Sequence, residues 1–178
     1  MAVVSTLAGA APAMAAGDMT VSTTHLGPLQ IGTSRTNAVR ALWGTPSEVD
    51  PFQGDWGSYM NWLYVKHGFT PGLGESFLEA SFFNGVLAAV NAYDPPARIP
   101  YFKRYVDAAG TRIGMSFREA RRREGASTFV YRHCGPGFAH FSHGNELFVS
   151  TGGRNRSVDG FAVYGSNIPA SLIKQPVC

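Results

Sequence analysis

The chain has 178 residues, of which 44% are hydrophobic and 15% are charged, and its formal net charge is +3. This length fits one domain or two small ones, and the hydrophobic content is sufficient for a packed core. Beyond residue 15 no stretch reaches the ~18 apolar residues that a membrane-spanning helix needs. We therefore expect no transmembrane segment.

Residues 1–15 resemble the greater part of a secretory signal. An Ala-rich apolar stretch ends in a small-residue cleavage pattern at Ala13-Met14-Ala15. Arginine outnumbers lysine twelve to three, which is typical of high-GC bacterial genomes. We therefore expect an exported bacterial protein, either secreted to the extracellular space or periplasmic.

Residues 25–95 are predicted to form a first α+β unit. An I-G-x-S segment begins at Ile31, and a short helix follows, with Ser34 as its N-cap and Gly44 as its stop. Residues 45–57 are interpreted as a loop. Three strands come next, and the last two are joined by Asn84-Gly85, a strong signal for a β-hairpin.

Residues 96–100 are predicted to be a proline-rich linker, and residues 101–178 a second α+β unit. The I-G-x-S pattern recurs at Ile113, 82 residues after its first occurrence. Ser116 and Glu119 form a predicted capping box, and Gly125 is expected to end the helix. Four strand-like segments with Gly-rich turns follow. We therefore predict an α+β fold of two tandem repeats, each a short helix followed by an antiparallel meander, with the helices on one sheet face.

The segments Ile31-Gly32-Thr33-Ser34 and Ile113-Gly114-Met115-Ser116, with the strands after each, carry a resemblance to a known family. The chain resembles the β-lactamase inhibitory proteins and, repeat by repeat, the small lipoproteins of outer-membrane assembly. The resemblance implies helices layered on a four-stranded sheet in each repeat and an exposed sheet face that holds a protein partner. It transfers no particular target and no inhibitory residue to this chain.

Residues 132–144, RHCGPGFAHFSHG, raise the question of a metal or catalytic site. Strand alternation places His133 and Cys134 on opposite faces, and likewise separates His140 from His143. A three-residue Gly-Pro-Gly loop separates His133 from His140, whereas a two-residue Pro-Gly turn places them opposite each other. Neither arrangement supplies the three or four ligands of a zinc site, so no metal is predicted. Cys134 and Cys178 are instead expected to form a disulfide.

The remaining sequence offers no catalytic pattern. G-x-S-x-G, H-E-x-x-H, P-loop and dinucleotide-binding motifs are all absent. Glu75 and Glu79 share a strand face and are interpreted as solvated side chains. We predict no catalytic residue and no cofactor.

Aromatic residues on the first sheet are the stronger functional indication. An antiparallel sheet covered by helices on one face normally carries polar residues on the other, but here the second face stays aromatic. The second repeat is one candidate cover for this face, and a protein partner is the other. We predict partner contacts from side chains of this face and of the adjoining loop, namely Trp62, Tyr64, Phe77, Phe83, Asp50, Asp55 and Trp56.

A basic patch forms the alternative surface. Residues 98–123 contain eight lysines and arginines but two carboxylates, and Arg118, Arg121 and Arg122 lie on one side of the second helix. Export and the lack of interleaved aromatic residues argue against nucleic acid as its partner. The sequence thus favours an exported, non-catalytic protein-binding module, such as an inhibitor of a secreted or periplasmic enzyme. The alternatives are an envelope module that binds an anionic surface through these arginines and a secreted hydrolase.

Overall fold

A computed structural model describes residues 17–54, 57–70, 74–94, 102, 104–132, 135–152 and 157–166. Several sequence predictions concern residues outside these ranges. They are the signal-like segment 1–15, the linker 96–100, the loop residues Asp55 and Trp56, and the residues His133, Cys134 and Cys178. The predicted disulfide between Cys134 and Cys178 therefore stays a prediction.

Strands dominate the described part of the chain. In chain order the elements are β1 (Met19–Val21), β2 (His25–Leu26), β3 (Leu29–Gln30), α1 (Thr36–Trp43), β4 (Glu48–Gly54), β5 (Gly57–Thr70), β6 (Gly74–Phe83), β7 (Val86–Tyr93), β8 (Tyr105–Asp107), α2 (Phe117–Glu124), a 3-10 turn (Ala126–Thr128), β9 (Phe129–Arg132), β10 (Gly135–Ser142), β11 (Asn145–Gly152) and β12 (Ser157–Tyr164). One antiparallel sheet has the strand order β4-β5-β6-β7-β12-β11-β10-β9. A second, small sheet has the order β3-β2-β1-β8, in which β1 and β8 run parallel. In the described ranges neither helix has the length to cross a bilayer.

The predicted α+β class, with two tandem helix-plus-meander repeats, is wrong. The helices α1 and α2 have only eight residues each, so the architecture is mostly β. The long meander strands belong to a single continuous sheet, because β7 pairs with β12. The small sheet also takes strands from both predicted repeats, which short-range patterning does not reveal. Finally, part of the predicted loop 45–57 forms the outermost strand, β4.

The glycine of each I-G-x-S segment forms a backbone hydrogen bond with a strand of the large sheet. Gly32 and Gly114 adopt positive φ angles of 81° and 87°, a region in which side chains other than glycine are strained. The Gly32 N–H donates to the carbonyl of Leu87 on β7 at 2.8 Å, and the Gly114 N–H donates to that of Val158 on β12 at 2.7 Å. These two hydrogen bonds attach the segment before α1 to β7 and the segment before α2 to β12.

The helix caps follow the sequence at α2 but not at α1. The Ser116 hydroxyl accepts a hydrogen bond from the Glu119 N–H at 3.3 Å, as the capping box predicts. Ser34 does not cap α1, because Arg35 occupies the N-cap position. The Ser34 hydroxyl instead accepts from the Gln30 N–H, in the turn that contains Gly32. Glycines 44 and 125 end the helices as predicted.

One predicted hairpin turn is present in the structure, and another is not. Asn84 and Gly85 have φ angles of 49° and 76°, so the predicted tight hairpin between β6 and β7 is present. Both turns considered for the β9–β10 hairpin are wrong. Gly135 pairs with Arg132, so residues 135–137 belong to β10 and not to the turn. His140 pairs with Leu147 on β11, and the β9–β10 register, in which Phe138 pairs with Phe129, places His140 beyond the start of β9.

The core lies on one face of the large sheet, which we call the inner face. Its side chains include Trp62, Leu78, Ala80, Phe82 and Val90, and α1, α2 and the small sheet contribute to the same buried cluster. The face alternation within the β6–β7 hairpin is as the sequence predicts, with alternating buried apolar positions on this side.

A pair of buried carboxyl groups fastens α2 to this face. Glu124 on α2 has no exposed side-chain area, and its Oε2 lies 2.7 Å from Nε2 of His140 on β10. Asp107 on β8 accepts a hydrogen bond from the Thr111 N–H at 2.8 Å, while its Oδ2 and the Glu124 Oε1 are both buried with no hydrogen-bond partner among the described residues as long as both carboxyls are ionised. Two carboxyl groups form a hydrogen bond only when one of them is protonated.

The environment assigns that proton to Asp107. Burial and the adjacent Glu124 carboxyl raise the pKa of Asp107 above its ordinary value of 3.8. Although burial alone would raise it, the pKa of Glu124 is lowered by hydrogen bonds with His140 and Asp107. The hydrogen bond to Glu124 raises the pKa of His140. At neutral pH the cluster thus holds a neutral Asp107 beside an ionised Glu124, and the hydrogen bond to Glu124 favours the protonated form of His140.

Replacing Asp107 with asparagine should reduce the pH dependence of folding stability. The folded state retains the Asp107 proton at pH values where the unfolded chain has released it, so stability from this group declines as pH rises above about 4. The amide introduced by Asp107→Asn reproduces the neutral acid, with one acceptor and one donor group. The drop in unfolding free energy between pH 5 and pH 8, measured by urea denaturation, should shrink by about 1–3 kcal/mol.

The exposed Asp50→Asn variant is the matched control, because it removes one carboxyl of the same type. This control reports the effect of removing a carboxyl outside the cluster, and the drop in unfolding free energy should be smaller in Asp107→Asn than in Asp50→Asn. An Asp107→Asn profile that runs parallel to the wild type would contradict the assigned protonation state.

Candidate functional site

The face of the large sheet opposite the core is the candidate functional surface, which we call the outer face. The strand registers define its side chains. They include Glu48, Asp50, Tyr59, Asn61, Leu63, Phe77, Glu79, Ser81, Phe83, Val86, Ala89, Asn91 and Tyr93 on β4–β7, and Ala139, Phe141, Glu146, Phe148, Ser150, Ala162 and Tyr164 on β10–β12.

A hydrogen-bonded polar network occupies the outer face across β5, β6 and β7. Asn61 donates through Nδ2 to Glu79 Oε1 at 2.5 Å, and Asn91 donates through Nδ2 to Glu79 Oε2 at 2.7 Å. The Ser81 hydroxyl donates to Asn61 Oδ1, and the Tyr59 hydroxyl donates to Ser81 Oγ, both at 2.9 Å. One carboxyl group therefore connects three strands.

Glu79 is 1% exposed, and its surroundings affect its charge. Burial raises the pKa of Glu79, and the hydrogen bonds from Asn61 and Asn91 offset part of that effect. Burial also raises the pKa of Tyr59, and the nearby carboxylates of Glu79 and Asp50 add to this effect. Asn91 Oδ1 is buried and accepts no hydrogen bond from any described residue. The network thus has acceptor capacity that its own donors do not fill.

Aromatic side chains surround this network. The rings of Phe77 and Tyr93 lie 5.2 Å apart between centroids. On the outer face this pair is next to the pair formed by Glu79 and Asn91. Phe83 and Tyr164 pack on Ala88 and Ala89 beside the β7–β12 junction. These four aromatic side chains are partly exposed, and Phe141 on β10 is 66% exposed. The outer face therefore combines a polar centre with an aromatic border.

The structure divides the predicted partner-binding residues between the two faces. Phe77 and Phe83 lie on the outer face, and Asp50 lies on it as an exposed residue of β4. Trp62 and Tyr64 lie on the inner face and are 4% and 1% exposed. Their placement on the second face is wrong, because Trp62 pairs with Ala80 and so shares the side of the helices.

The helix α1 covers these two aromatic side chains. The Trp43 ring meets that of Tyr64 edge-on at a centroid distance of 5.3 Å, and the Arg40 guanidinium lies 5.1 Å from the Trp62 ring centroid. A partner therefore reaches Trp62 or Tyr64 only if α1 is displaced.

Sequence reasoning did not identify the polar network. Glu79 was expected to be solvated, yet two asparagines from neighbouring strands enclose its carboxylate. The available signal was one small polar residue among the alternating positions of each of three consecutive strands, namely Asn61, Ser81 and Asn91. Recognising that these residues meet required the register between the strands, which the sequence did not provide.

The basic patch on α2 is partly neutralised. Arg118, Arg121 and Arg122 are exposed, as predicted. Glu119 bonds Arg122 at 2.6 Å and Arg123 at 2.8 Å, and these hydrogen bonds lower the pKa of Glu119 to about 2. The binding of an anionic envelope surface by this patch stays a prediction.

The histidines of residues 132–144 do not assemble into a site. The His140 side chain lies on the inner face against Glu124, while His143 occupies the turn between β10 and β11 with a φ of 51°. Among the described residues, no three histidine, cysteine, aspartate or glutamate side chains converge in a way that would hold a metal ion.

Scans of protein-family models and of curated proteins give no match. Solved structures do match. A DUF4309 family protein, YjgB, from Bacillus subtilis is similar with a TM-score of 0.50 and 15% identity, over 84% of this chain and 88% of that chain. This similarity extends over most of both chains and concerns the fold alone.

Two larger proteins match with lower scores. An extracellular protein containing an SCP domain from Bacillus anthracis has a TM-score of 0.49 and 12% identity, over 82% of this chain and 46% of that chain. A cysteine-rich secretory protein from Staphylococcus aureus has a TM-score of 0.46 and 13% identity, over 76% of this chain and 43% of that chain. This chain therefore spans less than half the length of either protein.

Proposed function

We propose that this chain is an exported, non-catalytic module that binds a protein partner through the outer face. The observation that carries the proposal is the aromatic border around a buried polar network on the sheet face opposite the helices. The secretory character of residues 1–15 supports export. A secreted or periplasmic enzyme is the partner class that the resemblance to the inhibitory proteins implies.

The extent of the surface favours a protein over a small molecule. The aromatic side chains run from Tyr59 on β5 to Phe141 on β10, across five inter-strand spacings. At ~4.8 Å per spacing, this row is about 24 Å wide, which is comparable with a protein–protein interface. Aromatic residues around a desolvated centre are typical of the side chains that dominate binding energy at such interfaces.

The polar centre supports binding better than catalysis. Both oxygens of Glu79 accept hydrogen bonds from asparagine amides, which hold the carboxylate in place. A general acid or base must instead reach the substrate proton that it transfers. The second carboxyl cluster, Asp107 with Glu124, is buried between α2 and the inner face. Glu79 and its partners therefore serve to stiffen the surface, which lowers the entropy lost on binding.

A capture experiment tests the role of the aromatic border. The wild type and the Phe77→Ala/Tyr93→Ala variant are immobilised and incubated with the secretome of the source organism, and bound proteins are quantified by mass spectrometry. We expect one protein to be enriched by the wild type and to fall about tenfold or more with the variant, since both rings are removed from the interface.

The matched control is Arg118→Gln/Arg121→Gln, which changes two exposed residues of α2. This control should capture the same protein as the wild type, and circular dichroism should show that both variants are folded. If the arginine variant loses the captured protein while the aromatic variant retains it, α2 is the binding surface and the proposal is wrong.

A separate stability measurement tests the structural role of Glu79. In Glu79→Ala, the amide groups of Asn61 and Asn91 lose a buried acceptor, so the unfolding free energy should fall by about 2–4 kcal/mol. Urea denaturation measures the change, with the exposed Glu48→Ala variant on the same face as the control. Equal stabilities of Glu79→Ala and Glu48→Ala would show that the network does not stabilise the sheet.

A further inference from the structure

The charges of this chain are unevenly distributed. Residues 48–94, which contain β4–β7, include six carboxylates and a single lysine, although the chain as a whole has a net charge of +3. Residues 98–123, which contain β8 and most of α2, include eight lysines and arginines but two carboxylates. The large sheet therefore has an acidic half, and the segment with α2 is basic.

Three of the acidic residues share the outer face. Glu48 pairs with Leu63 and Asp50 pairs with Asn61, so both carboxylates of β4 stand beside the polar network. Both are exposed, whereas Glu79 at the centre is buried. Besides burial, the negative charges of Glu79 and Asp50 raise the pKa of the Tyr59 hydroxyl, which lies between them on β5.

Several basic side chains of the described residues are engaged away from the outer face. Arg40 lies over Trp62 on the inner face, and Arg112 forms an ion pair with Asp18 at 2.6 Å. On α2, Arg122 and Arg123 bond Glu119. Of the outer-face positions defined above on β4–β7, none is a lysine or arginine. Arg35, which bridges to Val86 at the start of β7, is separated from the carboxylates of β4 by the strands β5 and β6.

We propose that the outer face over β4–β7 binds a cationic segment of the partner protein, with lysine or arginine side chains beside Glu48 and Asp50 and against the aromatic border. This inference rests on the proposed function and names the chemistry of the partner. A lysine or arginine provides only hydrogen-bond donors, and acceptors are what this face offers. The rings of Tyr59, Phe77 and Tyr93 add favourable contacts with a cation over their faces.

A second copy of this chain is the competing occupant. Docking of the basic α2 of one molecule on the acidic face of the next is a head-to-tail contact, which leaves one surface of each kind free at the ends. Such a contact extends into rings or filaments rather than stopping at a pair. A different protein with a basic surface satisfies the same charges and closes the interaction, so we assign the face to it.

The test uses peptides of known charge as probes. The isotope-labelled chain, residues 17–178, is titrated with hexalysine and separately with hexaglutamate, and chemical-shift changes are mapped by NMR. Hexalysine should shift the side-chain amides of Asn61 and Asn91 and the backbone amides around Asp50. Its binding should weaken as ionic strength rises. Hexaglutamate should leave these signals unchanged.

The variant Glu48→Gln/Asp50→Asn tests the assigned carboxylates. Its affinity for hexalysine should fall about three- to tenfold, because two exposed charge contacts are lost. The control Glu119→Gln also neutralises a carboxylate, but on α2, and should bind hexalysine like the wild type. Equal weakening in both variants would show that net charge and not this surface determines binding, and would overturn the proposal.

Two further results would also overturn it. One is hexalysine binding that shifts only signals outside the outer face. The other is self-association in sedimentation velocity at low salt that Glu48→Gln/Asp50→Asn abolishes, which would make a second copy the occupant. These outcomes leave the aromatic capture experiment intact, and a failure of that experiment alone would refute the proposed function while the charge preference stands.

Discussion

The antiparallel pairing of β7 with β12 is the interaction on which the rest of the structure depends. It runs from Gly160 opposite Tyr93 to Tyr164 opposite Ala89, and it joins two meanders that would each have an unpaired edge. An isolated four-stranded meander presents unpaired backbone groups at both edges. With the pairing, one core continues across the inner face and one surface continues across the outer face.

Several local features of the fold could be predicted from the sequence, whereas its long-range features could not. The Asn84-Gly85 turn, the Ser116 cap and the apolar alternation of β6 and β7 each depend on neighbours in the chain, and all three are present. The small sheet joins β1 to β8 over more than eighty residues, and no period in the sequence encodes that contact. The mostly β character was missed for the same reason.

The candidate site illustrates the same limit at the level of side chains. Phe77 was assigned to the exposed face from alternation within its own hairpin, and this assignment matches the structure. Trp62 was assigned without the β5–β6 register, and it belongs to the core. The network around Glu79 depends on two registers at once, since its partners come from the strands on either side. A polar cluster built across strands is thus invisible to a reading of one strand at a time.

The carboxylates of β4 also bear on aggregation, because β4 lies at an edge of the large sheet. As an edge strand of the large sheet, β4 has backbone groups with no partner strand, and its Val49 is 47% exposed. An open strand edge with apolar side chains is a template for aggregation. Pro51 has no N–H to offer an incoming strand, and Glu48 and Asp50 on either side of Val49 repel a second copy of the same edge. The two charges assigned above to partner binding therefore also protect this edge from pairing with another copy, so a substitution that removes them would affect both properties.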